Sequence, residues 1–102
     1  MGRFKADAIL VRELPELTII FYDRQSIYIY PKNQKFGSIF NLWFSHRGAY
    51  TEGWQDFRRR LMRKKHLTPT HCYELAIKYG VVGIGTDRRI DLTGKKVRIV
   101  YE

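Results

Sequence analysis

Between Pro15 and Pro31 lie two short runs of β-branched and aromatic residues, Leu17–Tyr22 and Ser26–Tyr30, held apart by Asp23, Arg24 and Gln25. Apolar runs of that length joined by three polar residues read as a β-hairpin with a short turn. In the second run Ile27 and Ile29 alternate with Ser26, Tyr28 and Tyr30, so one face is aliphatic and the other carries two tyrosines. The segment before the hairpin, Phe4–Leu14, places Ala6, Ala8 and Leu10 on one parity and Ile9 and Val11 on the other. That pattern predicts a strand buried on both faces and ended by Pro15.

Pro31–Gly37 is polar and reads as a loop. The run Ile39–Phe44 is apolar all round, so periodicity alone fits either a short helix capped by Ser38 or a buried strand. We assign it as a helix. Ser45–Gly53, with His46, Arg47, Gly48, Tyr50 and Gly53, reads as a flexible connection. A helix is then expected from near Trp54, with Thr51 as cap and Glu52 and Asp56 at the positive end of its dipole. Trp54, Phe57 and Leu61 form its apolar stripe, and Arg59, Arg60, Arg63 and Lys64 cover the opposite side. A second helix has Thr68 as cap, Pro69 in first position, an apolar face of Cys72, Leu75, Ala76 and Tyr79, and Gly80 as terminator.

From Val81 the chain returns to strand character, in Val81–Ile84, Ile90–Leu92 and Lys96–Tyr101, with Thr93-Gly94-Lys95 as the turn before the last. Strands, then helices, then strands predict a single α+β domain over residues 1–102, with two or three helices on one face of a mainly antiparallel sheet. Its core is expected to take Phe21, Phe40, Trp43, Phe44, Trp54 and Phe57, leaving Tyr28, Tyr30 and Tyr50 at the surface. At 102 residues, with 44% hydrophobic and 28% charged, disorder, collagen-like repeats and coiled coil are all excluded. One modest core leaves little room for an enclosed active site, which favours a binding protein over an enzyme.

The longest apolar run is far short of the roughly 20 residues of a membrane span, and the first residues carry no signal or acylation pattern. The lone Cys72 permits no internal disulfide. These features predict an intracellular, cytoplasmic protein without a membrane partner, in which Cys72 is a small core residue.

Charge is the strongest chemical signal. Lys and Arg number 19 against 10 Asp and Glu, a net charge of +9, and six of the eight residues Arg58–Lys65 are cations with no acid among them. Cations gathered on one helix face gain affinity for phosphates by counterion release, and arginine adds bidentate hydrogen bonds. DNA or RNA is therefore the expected partner, contacted by Arg59, Arg60, Arg63 and Lys64 and secondarily by Arg88, Arg89, Lys95 and Lys96. The competing view of the cluster is a solvated helix face whose Arg58 and Lys65 lie along the edge of the core. His66-Leu67-Thr68 has the length of a helix-turn-helix link, but the second helix offers Thr70, His71, Glu74 and Lys78, a poor set for reading base edges. Two antiparallel packed helices are the expectation.

Two other functions fit the composition. Exposed aromatics suit a homodimer or a protein partner, and His46 or His66 beside the cations suits a metal-independent ribonuclease. His46, His66, His71 and Cys72 have no metal-ligand spacing, so no metal or other cofactor is implied. Thr93-Gly94-Lys95-Lys96 and Gly83-Ile84-Gly85 lack the further residues a phosphate loop or dinucleotide turn requires.

Overall fold

The computed structural model describes residues 9–32, 40–43, 45, 47–80, 83–85 and 91–101. Its elements are β1 (Ile9–Glu13), β2 (Leu17–Phe21), β3 (Ser26–Pro31), β4 (Phe40–Trp43), α1 (Glu52–Arg63), α2 (Pro69–Lys78), β5 (Gly83–Gly85) and β6 (Val97–Tyr101). The described strands form one sheet in the order β5-β4-β3-β2-β1-β6. Every neighbouring pair is antiparallel except β1 with β6. The α+β architecture expected from strands followed by helices and then strands is thus the one found.

The hairpin forms where its chemistry places it. Asp23 Oδ1 accepts the Gln25 N–H at 2.8 Å and fixes the turn, and the Tyr22 N–H donates to the Ser26 carbonyl at 3.1 Å. Pairing Ile19 with Ile29 and Phe21 with Ile27 puts the aliphatic residues of both arms on one face. That face, with Leu14 and Leu42, packs against Trp54, Phe57 and Leu61 of α1 and Cys72, Leu75 and Ala76 of α2. Opposite it, Ile9, Val11, Ile20 and Tyr30 form a second cluster with Tyr22, Tyr28, Leu92 and Val97. Strand β1 contributes to both, as its two-parity apolar pattern predicts.

Both helices begin on threonine caps. Thr51 Oγ1 accepts the Trp54 N–H at 3.3 Å, and Thr68 Oγ1 accepts the His71 N–H at 3.1 Å. Helix α2 ends before Gly80, whose φ of +68° is open to glycine and strained for other residues. Tyr79, just past the end of α2, reaches back to Asp56 and Phe57 in the first half of α1, so the two helices run antiparallel. Thr68→Ala is expected to lower unfolding stability by about 1 kcal/mol, read by urea denaturation against Thr70→Ala, which removes an exposed hydroxyl of the same helix. Equal stability of the two variants would mean that water caps the helix as well as Thr68 does.

Several expectations need correction. Phe40–Trp43 is a strand: it pairs with β3 through Ile29–Phe40 and Ser26–Trp43, so completion of the sheet, which local periodicity cannot report, decides its conformation. The chain therefore has two α-helices among the described residues, plus a single 3₁₀ turn at Gly48–Tyr50 inside the predicted connection. Trp43, expected in the core, is 41% exposed, because it falls on the face of β4 opposite Leu42. Tyr30, expected at the surface, is 1% exposed, because its face of the sheet is packed by Ile9, Val11 and Ile20. Asp91 and Leu92 lie in no strand. Residues 4–8, 33–39, 44, 81–82 and 90 of the predicted segments, Phe44 of the expected core among them, lie outside the described residues. No described helix is long and apolar enough to cross a membrane.

Candidate nucleic-acid interface

Helix α1 is held by its apolar stripe, and that anchorage determines which cations are left for a ligand. Trp54, Phe57 and Leu61 are fully buried, so at about 100° per residue Arg59 and Arg63 point away from the core. Arg60 and Lys64 lie on the flank nearer α2. Arg59, Arg60, Arg63 and Lys64 are all exposed and, with Asp56, line an open depression of about 290 Å³. The sequence holds no acid between Asp56 and Glu74.

Asp56 is engaged on both sides. Its Oδ2 accepts the Tyr79 hydroxyl at 2.8 Å, and its Oδ1 lies 3.6 Å from Arg59 Nη2. The hydrogen bond to this carboxylate pushes the Tyr79 phenol pKa up. Asp56 thus positions Arg59 and ties α1 to the end of α2. Arg60 and Arg63 occupy the last turn of α1, where a cation also complements the negative end of the helix dipole.

Arg58 belongs to the fold. Its guanidinium lies 5.8 Å from the Phe21 ring centre, and Nη1 donates to the Asp23 carbonyl at 2.9 Å. Burial, then the neighbouring Arg24, push its pKa down. This is the core-edge role foreseen for Arg58, whereas Lys65 is exposed beyond the helix end.

Of the second cationic group, Lys95 lies on the side of the sheet away from α1. Lys95 Nζ lies 5.7 Å from the Tyr22 ring centre, and Tyr22 packs with Tyr28 on the side of the sheet away from the helices. Lys96 is exposed just before β6, where its carbonyl accepts the Ile9 N–H at 2.8 Å. Arg88 and Arg89 lie outside the described residues, as does His46. His66 is exposed in the link between the helices. His71 Nδ1 sits 3.8 Å from Glu74 Oε1, an i,i+3 pair on α2.

Sequence reasoning missed two arginines. Arg12 is 3% exposed and its Nη1 donates to the Leu61 carbonyl at 2.6 Å, so a strand arginine binds the last turn of α1. Arg98 alternates with Val97 and Ile99 along β6 and faces the helix side. There it lines a depression of about 350 Å³ with Leu10, Arg12, Met62 and Val100. The alternation of β6 held the signal for Arg98; nothing local held one for Arg12. Cys72 is buried and free, and burial raises its thiol pKa to about 12, which keeps it an unreactive core residue.

Compared with known proteins, the chain matches no family model, no curated protein and no solved structure.

Proposed function

We propose that the protein binds nucleic acid through the phosphate backbone, with Arg59, Arg60, Arg63 and Lys64 of α1 as the principal contacts. The observation that carries this reading is an exposed, helix-mounted set of four cations in whose depression Asp56, the one acid lining it among the described residues, is already engaged by Tyr79 and Arg59. Each phosphate neutralised releases condensed counterions, and the arginine forks add directional hydrogen bonds to phosphate oxygens. Base edges have no part in this mode, so affinity is nearly independent of sequence. Lys95 and Lys96 act as secondary contacts that a long polyanion reaches around the sheet edge. The reading describes a binding protein rather than an enzyme. A free, buried Cys72 suits a reducing, cytoplasmic setting.

The test is fluorescence anisotropy with a labelled duplex, a single strand and an RNA hairpin over a salt series. Four neutralised phosphates give a duplex slope of log K against log salt of about −3.6. Replacing all four residues by alanine is expected to flatten the duplex slope by about 3.6 and to weaken binding at least tenfold on every ligand. Lys95→Ala with Lys96→Ala flattens it by about one to two. A parent slope near zero, or a four-residue variant with an unchanged slope, overturns the reading. Thermal melts of the variants check that the fold survives, and exposed side chains predict losses under about 1 kcal/mol.

A further inference from the structure

The two outer strands of the sheet differ in kind. Strand β5 is three residues long with glycine at each end, a short edge of the sort that resists pairing. Strand β6 is five residues, Val97-Arg98-Ile99-Val100-Tyr101, with Ile99 48% and Val100 36% exposed. The Ile9 N–H donates to the Lys96 carbonyl, and β1 runs parallel to β6 in the register Ile9–Val97. In a parallel ladder this directs the amides of Arg98 and Val100 toward β1 and those of Val97, Ile99 and Tyr101 outward. Among the described residues no strand lies on that outer side.

We infer that β6 is a homodimer edge, pairing antiparallel with β6 of a second copy about a two-fold axis at Ile99. That axis sets Ile99 against the partner's Ile99, Val97 against the partner's Tyr101 and Arg98 against the partner's Val100. Every outward N–H then meets an outward carbonyl, and each arginine faces an apolar residue. Moving the register by two residues shortens the ladder in either direction, and one of those shifts opposes Arg98 to itself. A shift by one sets outward amides against amides already bonded to β1. The strand is therefore complementary to its own copy in hydrogen bonding, and in this register each Arg98 is opposed to Val100 rather than to the second Arg98.

A five-residue edge buries well under the roughly 1,600 Å² of a tight complex, so the dimer is a weak one. The axis stands perpendicular to the sheet and leaves both copies of α1 on the same side. Met62 of each is turned toward the seam, since it shares a depression with Arg98 and Val100. The inference does not rest on nucleic-acid binding, and the test separates the two.

Sedimentation velocity on nuclease-treated full-length protein, over concentrations from about 1 to 500 μM, is expected to show a monomer–dimer equilibrium with Kd on the order of 10–100 μM. Two chains of charge +9 repel, so the dimer tightens as salt rises from about 0.1 to 0.5 M, whereas association bridged by a polyanion loosens. Ile99→Lys places like charges across the axis and is expected to raise Kd about tenfold or more without lowering the monomer's melting temperature. Should that variant fail to fold, Ile99→Cys provides a second readout, because directly opposed residues about 5.5 Å apart at Cα oxidise to an intermolecular disulfide. Monomer at every concentration, a dimer indifferent to Ile99→Lys, dissociation by salt, or no cross-link through Ile99→Cys each overturns the inference.

Discussion

Replacing Trp54 with alanine is expected to remove about 4 kcal/mol of stability, the largest loss from any single side chain considered. Trp54 is fully buried and stacks on Phe57 with ring centres 5.7 Å apart. Its indole Nε1–H donates to the Arg24 carbonyl at 2.5 Å, which fastens the first turn of α1 to the β2–β3 turn. Deleting the ring opens a cavity at the junction of sheet and helix and frees that turn. A domain of this size has about 5–15 kcal/mol in all, so the variant approaches the unfolding threshold. Its melting temperature should fall by more than about 15 °C. Trp54→Phe keeps most of the packing and loses the hydrogen bond, for a cost of about 1–2 kcal/mol. Urea denaturation measures both, and a loss below about 1.5 kcal/mol for Trp54→Ala would show that the helix is anchored elsewhere.

Arg12→Ala is the second large effect, expected at about 3 kcal/mol. The carbonyl of Leu61 is among the last four of α1, which lack an amide donor further along the helix. Arg12 supplies that donor from β1 at 2.6 Å, and its charge sits at the negative end of the helix dipole. Removing it strands a buried acceptor and leaves a void beside Leu10. Arg12→Met restores the volume but not the donor, so about half of the loss should remain. Comparing the two variants by urea denaturation separates packing from hydrogen bonding. Equal stability of Arg12→Met and the parent would mean that the guanidinium contributes only its stem. Because the exposed cations of α1 ride on the turn that Arg12 holds, Arg12→Met should also weaken the proposed nucleic-acid binding without changing its salt slope.

The parts of the fold legible in the sequence are those specified by short-range chemistry. Asp23-Arg24-Gln25 between alternating apolar runs closes a hairpin, and Thr68-Pro69 with Gly80 brackets a helix. The stripe Trp54, Phe57, Leu61 separates buried from exposed positions on α1, so the exposure of Arg59, Arg60, Arg63 and Lys64 is legible in the sequence. Misreadings arose where a residue's environment is made by a distant segment. Phe40–Trp43 is apolar enough for helix or strand, and only the free edge of β3 selects strand. Tyr28 and Tyr30 share one parity, yet Tyr30 is buried because β1 and β2 supply neighbours on its face.

By itself the sequence determined the hairpin, the capped helices, the α+β class and the exposed basic face of α1, because turns, caps and periodicity act over a few residues. Tertiary structure alone decided that β6 lies parallel beside β1, that Lys95 and α1 fall on opposite sides of the sheet, and that Arg12 holds the end of α1. Those are consequences of strand order, and strand order is fixed by which distant surfaces can be buried together.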